Sequence, residues 1–221
     1  MGSITYCWYT SWWGVIGMPR ITLVNYGLGN IQAFVHIYER LNIPVDVAVT
    51  PDQLANSEKI ILPGVGAFDW AMTKLNNSGL REKLDEIVLE HKIPVLGVCV
   101  GMQMMSLHSD EGVLPGLGWI KSNVVRFKPE TIGDAPLPHM GWNDVIPVES
   151  EGLFRGIAEP RYYFLHSYCI VPRSQSNVLA TAQYGSKFTA AVQRGNVFGT
   201  QFHPEKSHDW GIEFLRNFAT I

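Results

Sequence analysis

Three features of the 221-residue sequence predict an α/β fold whose sheet is parallel at its centre and carries an antiparallel extension. From Ile21 to about residue 100, short apolar runs alternate with amphipathic stretches, the pattern that wraps helices over both faces of a parallel sheet. After about residue 115 short β-rich segments dominate, as in strands paired with antiparallel neighbours. The length suits one compact domain with a sizeable core.

The elements follow in order. Ile21 to Asn25 (ITLVN) reads as a buried strand closed by the glycine turn Tyr26-Gly27-Leu28-Gly29-Asn30. Ile31, Phe34, Val35, Tyr38 and Leu41 recur at helical spacing. Pro44 to Val49 alternates as a strand does, and Lys59 to Leu62 is a short buried strand ended by Pro63-Gly64. Leu80, Leu84, Ile87, Val88 and His91 share one helical face, and Pro94 to Val98 follows as a strand. Beyond residue 115 the strand candidates are NVVRF, WNDVIPV, YYFLHSYCIV, VLATAQY, FTAAVQ and NVFGTQF. Gly195-Asn196 between the last two reads as a hairpin turn. Trp210, Phe214, Leu215 and Phe218 mark a closing helix from His208 to Phe218. No linker composition marks a second domain.

Composition excludes several classes. A net charge of −3 leaves no electrostatic footprint for nucleic acid. Cys7, Cys99 and Cys169 are odd in number and far apart, so neither a disulfide scaffold nor a zinc site is expected, and a reducing cytoplasm is the natural compartment. No HExxH or comparable cluster suggests a metal, no nucleotide fingerprint is present, and no cofactor is expected. Residues 1–19 are rich in aromatic and small residues with no charge before Arg20. They have neither the basic start of a signal peptide nor the length to span a bilayer, and read as an extension before a domain over residues 20–221.

The chemistry concentrates in PVLGVCVGMQ. A buried strand runs into Gly97-Val98-Cys99-Val100-Gly101, and Met102, Gln103, Met104 and Met105 continue as helix formers. Small residues two before and two after Cys99 permit the sharp strand-to-helix turn of a nucleophile elbow. Such a turn exposes the sulfur at the sheet's carboxyl end and beside a helix N-terminus, which favours thiolate. The opposing reading, a buried inert cysteine, is weakened by the paired glycines. A thiolate needs a base and the base an orienting group. Among the seven histidines, His203 directly follows an apolar strand in GTQFHPEK, with Glu205 two residues on and Pro204 stiffening the link.

These residues make the chain similar to class I glutamine amidotransferases. The three signatures are Gly97 to Gln103, Pro63-Gly64-Val65-Gly66, and Phe202-His203-Pro204-Glu205. More narrowly, NYGLGN (Asn25 to Asn30), PGVGAF (Pro63 to Phe68), PHMGWN (Pro138 to Asn143), LHSY (Leu165 to Tyr168) and HPEKS (His203 to Ser207) resemble the glutaminase subunits of imidazole glycerol phosphate synthases, enzymes of histidine biosynthesis. The resemblance implies the flavodoxin-like amidotransferase fold and a Cys99-His203-Glu205 triad that releases ammonia from glutamine through a thioester. It implies an oxyanion site from backbone at Val100 and at Gly64, Val65 and Gly66. It assigns glutamine binding to Gly66, Gln103, Glu111, His166, Ser167 and Tyr168. Asn25, Tyr26, Asn30, Met140 and Trp142 are expected to face a (β/α)8-barrel cyclase in a heterodimer, which receives the ammonia and makes imidazole glycerol phosphate.

The match departs at Val100, where leucine is usual, and at Met104-Met105-Ser106-Leu107 in place of Leu-Leu-Phe-Glu. Paralogues that feed ammonia to amidino-sugar synthesis in surface polysaccharides share most of the pattern. A non-catalytic scaffold is the contrasting reading, but such chains lose the nucleophile. Cysteine hydrolases and chaperones of similar architecture place His after the cysteine, where this chain has Val100.

Overall fold

A parallel sheet covered on both faces needs strands apolar on both sides, and the first half of the chain supplies them. The computed structural model describes residues 19–221. The expectations for residues 1–18 lie outside the described residues. In chain order the first half forms β1 (Ile21–Val24), α1 (Ile31–Arg40), β2 (Val45–Ala48), α2 (Pro51–Leu54), β3 (Lys59–Gly64), α3 (Phe68–Asn77), α4 (Arg81–Leu89), β4 (Val95–Cys99) and α5 (Val100–Met104). The second half forms β5 (His108–Ser109), β6 (Ser122–Arg126), α6 (Pro129–Ile132), β7 (His139–Pro147), β8 (Arg161–His166), β9 (Tyr168–Pro172), β10 (Val178–Tyr184), β11 (Ser186–Arg194), β12 (Val197–Thr200) and α7 (His208–Thr220).

Among the described residues nine strands make one mixed sheet in the order β2-β1-β3-β4-β12-β11-β10-β7-β8. The pairs from β2 through β12 are parallel, and those from β12 to β8 are antiparallel. The expected parallel centre and antiparallel extension are therefore both present. Ile21, Leu23, Ile60, Ile61, Leu62, Val95 and Leu96 have no exposed surface, so both faces of the central strands are dry. α1 buries Phe34 and Tyr38, and the Tyr38 hydroxyl donates to the Leu215 carbonyl of α7.

Several elements differ from the reading of the sequence. YYFLHSYCIV is one apolar run but two strands: the chain bends at Ser167, leaving the nine-stranded sheet as β8 and entering a three-stranded sheet, β5-β6-β9, as β9. Neighbouring strands rather than local pattern set that break, because β8 pairs with β7 and β9 with β6. The helix α3 has no counterpart among the elements expected above, and Phe68, Ala71, Met72 and Leu75 form its buried stripe. His91, expected on the apolar face of α4, lies beyond its end and is exposed.

The β7–β8 ribbon folds over the carboxyl end of the parallel strands. An isolated antiparallel bridge joins Tyr163 to His203, with the His203 amide donating to the Tyr163 carbonyl at 2.9 Å. An aromatic cluster backs this roof: Tyr162 stacks on Phe202 at 4.0 Å, and Phe214 meets both edge-on.

Candidate active site

The elbow forms where β4 must turn into α5 with no spacer. Cys99 absorbs the turn at φ 55° and ψ −114°, a region an L-residue occupies only under constraint. The constraint is close packing on β3. Gly64 stands opposite Cys99 in the β3–β4 register. A Cβ at Gly101 would sit 2.0 Å from the Leu62 carbonyl oxygen, and one at Gly64 2.4 Å from the Gly101 nitrogen. Glycine is required on both sides because backbone meets backbone.

Around the sulfur the structure gathers groups from three elements. The Leu165 carbonyl of β8 lies 3.9 Å from Cys99 Sγ, and Gln201 Nε2 lies 3.8 Å from it. His203 presents its imidazole to the same sulfur while its Nδ1–H donates to Glu205 Oε1 at 2.8 Å. Both side chains of the His203–Glu205 pair are almost wholly buried. Glu205 Oε2 has no hydrogen-bond partner among the described residues, so the imidazole is the group that stabilises this buried carboxylate. Burial opposes a charge on His203, but Cys99 and Glu205 outweigh it and push the imidazole up to about 10. A buried base held by a carboxylate and aimed at a thiol on an elbow is the arrangement of nucleophilic acyl transfer.

The remaining candidates fall into three groups. Val100 begins α5 directly after the sulfur, while Val65 and Gly66, the latter at φ +86°, carry the chain out of β3 beside it. Gln103 is buried, with Nε2 donating to the Tyr168 carbonyl at 3.2 Å and to Gln201 Oε1 at 3.1 Å. Glu111 Oε2 accepts from the Phe68 amide at 2.8 Å, which ties the 111–114 loop to the start of α3. Asp69 completes the clamp by accepting from the amides of Val113 and Leu114. His166 is buried beside Tyr168, and Ser167 is the bend between β8 and β9. Gln103, His166, Ser167 and Tyr168 thus converge on one corner.

The residues expected at a partner surface separate. Met140 is 64% exposed and Trp142 37%, both on the outward side of β7, and Leu165 stands opposite Met140 with 39% exposed. Trp142 stacks on His208 at 5.2 Å. Asn30 is exposed and Asn25 partly so, its Oδ1 accepting from the Gly27 amide. Tyr26 is a correction: it is buried, and its hydroxyl donates to the Pro63 carbonyl at 2.7 Å. It supports the Pro63-Gly64 segment from within and offers no side chain to a partner.

Gln201 is the site residue that sequence reasoning missed. The signal was available, since positions two apart on an extended segment share a face and Gln201 lies two before His203. Among the described residues no group of three or more His, Cys, Asp or Glu side chains is placed to hold a metal, and no helix is long and apolar enough to cross a membrane.

Comparison with known proteins finds relatives over nearly the whole of the described chain. A family model described as glutamine amidotransferase class-I matches residues 22–221. The chain is 57% identical over 204 residues to a protein of Bdellovibrio bacteriovorus named imidazole glycerol phosphate synthase subunit HisH, covering 91% of this chain and 100% of that one. A Leptospira interrogans protein of the same name is 45% identical over 203 residues, covering 91% and 100%. A Pseudomonas aeruginosa protein named subunit HisH 2 is 46% identical over 202 residues, covering 91% and 99%. Among solved structures, PurLQS from Thermotoga maritima superposes with a TM-score of 0.70 at 19% identity over 92% of this chain and 99% of that one. A glutamine amidotransferase from Thermotoga maritima gives 0.60 at 19% identity, covering 91% and 83%, and both likenesses bear on fold alone. The chain belongs to the class I glutamine amidotransferase family.

Proposed function

We propose that this chain is the glutaminase subunit of an imidazole glycerol phosphate synthase, releasing ammonia from glutamine for a cyclase subunit in histidine biosynthesis. The observation that carries the reading is the buried His203–Glu205 pair facing a cysteine on a strained elbow. The near-full-length similarity to proteins named as that subunit directs it to this pathway.

The geometry around Cys99 supports acyl transfer through a thioester. His203 takes the proton of Cys99, and the sulfur attacks the side-chain amide carbon of glutamine. The carbonyl electron pair moves onto oxygen, where backbone N–H groups of Val100 and of the Gly64–Gly66 segment stabilise it. Collapse of this intermediate expels nitrogen, which takes the proton from His203 and departs as ammonia, leaving a thioester on Cys99. Water deprotonated by His203 then cleaves the thioester to glutamate. Glu205 holds Nδ1–H throughout, which keeps Nε2 toward the sulfur. Gln103, Glu111, His166, Ser167 and Tyr168 form the wall for the amino-acid end of glutamine.

Ammonia is mostly protonated near neutral pH, so it must pass to its acceptor without meeting bulk solvent. The outward apolar residues Met140, Trp142 and Leu165 support a partner seated against the β7–β8 edge. The expected partner is a (β/α)8-barrel cyclase, and the working unit a heterodimer in the cytoplasm.

The test mixes the full chain with such a cyclase subunit and its ribotide substrate, and follows imidazole glycerol phosphate formed from glutamine or from ammonium salts. Wild type should use both nitrogen sources, while Cys99→Ala should keep the ammonia reaction and lose the glutamine reaction by at least about 10³-fold. Wild-type turnover from ammonia but never from glutamine would sink the reading.

A further inference from the structure

In the glutamine wall and just behind it stand two histidines that proton transfer at Cys99 does not need. His139 on β7 and His166 on β8 are direct cross-strand partners, both buried, with His139 Nδ1 and His166 Nε2 2.9 Å apart. The groups at either end determine which nitrogens carry hydrogen. The Tyr168 carbonyl can only accept, and His166 Nδ1 lies 2.8 Å from it, so His166 carries its hydrogen on Nδ1. In a neutral ring Nε2 is then a bare acceptor, and the hydrogen between the rings sits on His139 Nδ1. That leaves His139 Nε2 bare, facing Asn143 Nδ2 at 3.2 Å.

Asn143 is itself pinned. Its second amide hydrogen goes to the Gln183 carbonyl at 2.8 Å, and its Oδ1 accepts from the Asp144 amide at 2.9 Å. Every bond in the chain therefore runs one way, from Asn143 through His139 and His166 to Tyr168. Burial lowers both imidazoles, His139 to about 4 and His166 to about 3, although the Tyr168 carbonyl acts in the opposite sense on His166. Neutrality is needed, because a proton added to His166 Nε2 would face the Nδ1–H of His139. One added to His139 Nε2 would face the Asn143 amide. Tyr184 and Phe164 stack on the His139 ring at 4.0 and 4.8 Å and hold its plane.

The chain ends inside the glutamine wall. The Tyr168 carbonyl is shared between His166 and Gln103 Nε2, Gln103 is bonded to Gln201, and Gln201 reaches Cys99 Sγ. We propose that Asn143, His139 and His166 form a one-way positioning relay that fixes the Tyr168 carbonyl and the Gln103 amide for glutamine. Strand β7, which carries Met140 and Trp142 on its outer side, thereby sets the shape of the pocket on its inner side. His139 and Asn143 are positioning residues that act through Tyr168, and their role rests on the glutaminase reading above.

The test uses the full chain in complex with the cyclase. His139→Leu fills the site with an apolar side chain and removes the donor to His166. The KM for glutamine should rise about tenfold or more. Ammonia-dependent turnover and the alkylation rate of Cys99 by iodoacetamide should stay within about twofold of wild type. His139→Asn returns an amide N–H close to the position of Nδ1 and should recover most of the KM. Independently, ¹⁵N imidazole spectra of the wild-type chain should show both histidines as neutral Nδ1–H tautomers at pH 7 and still at pH 5. An Nε2–H tautomer at either ring, an unchanged KM in His139→Leu, or no recovery in His139→Asn would overturn the relay while leaving the glutaminase reading intact. A wild-type complex that never uses glutamine would overturn both.

Discussion

Cys99 is costly to place and specific in what it permits. Its φ of 55° is strained for a residue with a Cβ, whereas glycine takes such angles freely. Cys99→Gly is therefore expected to be more stable than Cys99→Ala by about 1 kcal/mol in urea unfolding, although both lack the nucleophile. Glu205 acts on the reaction through His203 alone, accepting from its Nδ1–H and raising its affinity for a proton. Glu205→Gln retains the size of the side chain but removes the charge and permits the wrong ring tautomer. Glutamine-dependent kcat should fall about 10²-fold or more with little change in KM. Equal loss in kcat and in thermal stability would instead mark Glu205 as a packing group.

At the scale of elements, the elbow exists because β3 and the β4–α5 turn press together without side chains between them. Gly101→Ala places a methyl group 2.0 Å from the Leu62 carbonyl oxygen, and only backbone movement can relieve it. This substitution should cost more than about 2 kcal/mol and abolish glutaminase activity by displacing Cys99 from Gly64. Gly27→Ala is the control: a Cβ there meets nothing within 4 Å, and only its φ of +93° is unfavourable. Its cost should stay near 1 kcal/mol with activity retained. Similar losses in the two variants would show that backbone conformation, rather than close approach, demands glycine at the elbow. The same scale explains the break at Ser167, where the chain changes sheets and delivers the Tyr168 carbonyl to Gln103.

For the whole molecule, the buried histidines give stability a pH dependence with two limbs of different origin. His139 and His166 bind protons less readily folded than unfolded, so the unfolded chain gains protons first as pH falls below about 6.5. Stability is then lost as pH falls from about 6.5 toward about 4 for His139 and about 3 for His166, on the order of a few kcal/mol for each. His203 has the opposite sign. Its contribution is fully present below about pH 6.5 and is lost as pH rises toward about 10. Urea unfolding across this range should show a maximum near pH 6.5. Cys99→Ala removes one of the two groups that raise His203 and should flatten only the alkaline limb. A change in the acid limb of that variant would disprove the assignment.

The sequence alone determined whatever depends on local pattern and on residue types with few alternative uses. Uninterrupted apolar runs gave the parallel strands, because a strand covered on both faces has no polar side to display. Gly97 and Gly101 around Cys99 gave the elbow, and HPE gave the base with its carboxylate, since two residues on a short stiff link can scarcely avoid each other. Tertiary structure decided what depends on which strand lies beside which. The split of YYFLHSYCIV, the burial of Tyr26 beneath Pro63 and the arrival of Gln201 at Cys99 arise from pairings across long stretches of chain. So does the meeting of His139 with His166, 27 residues apart, which depends on β7 and β8 pairing in one register. A slip of one residue between β7 and β8 would put the two rings on opposite faces of the sheet, and no local pattern in either segment encodes that register.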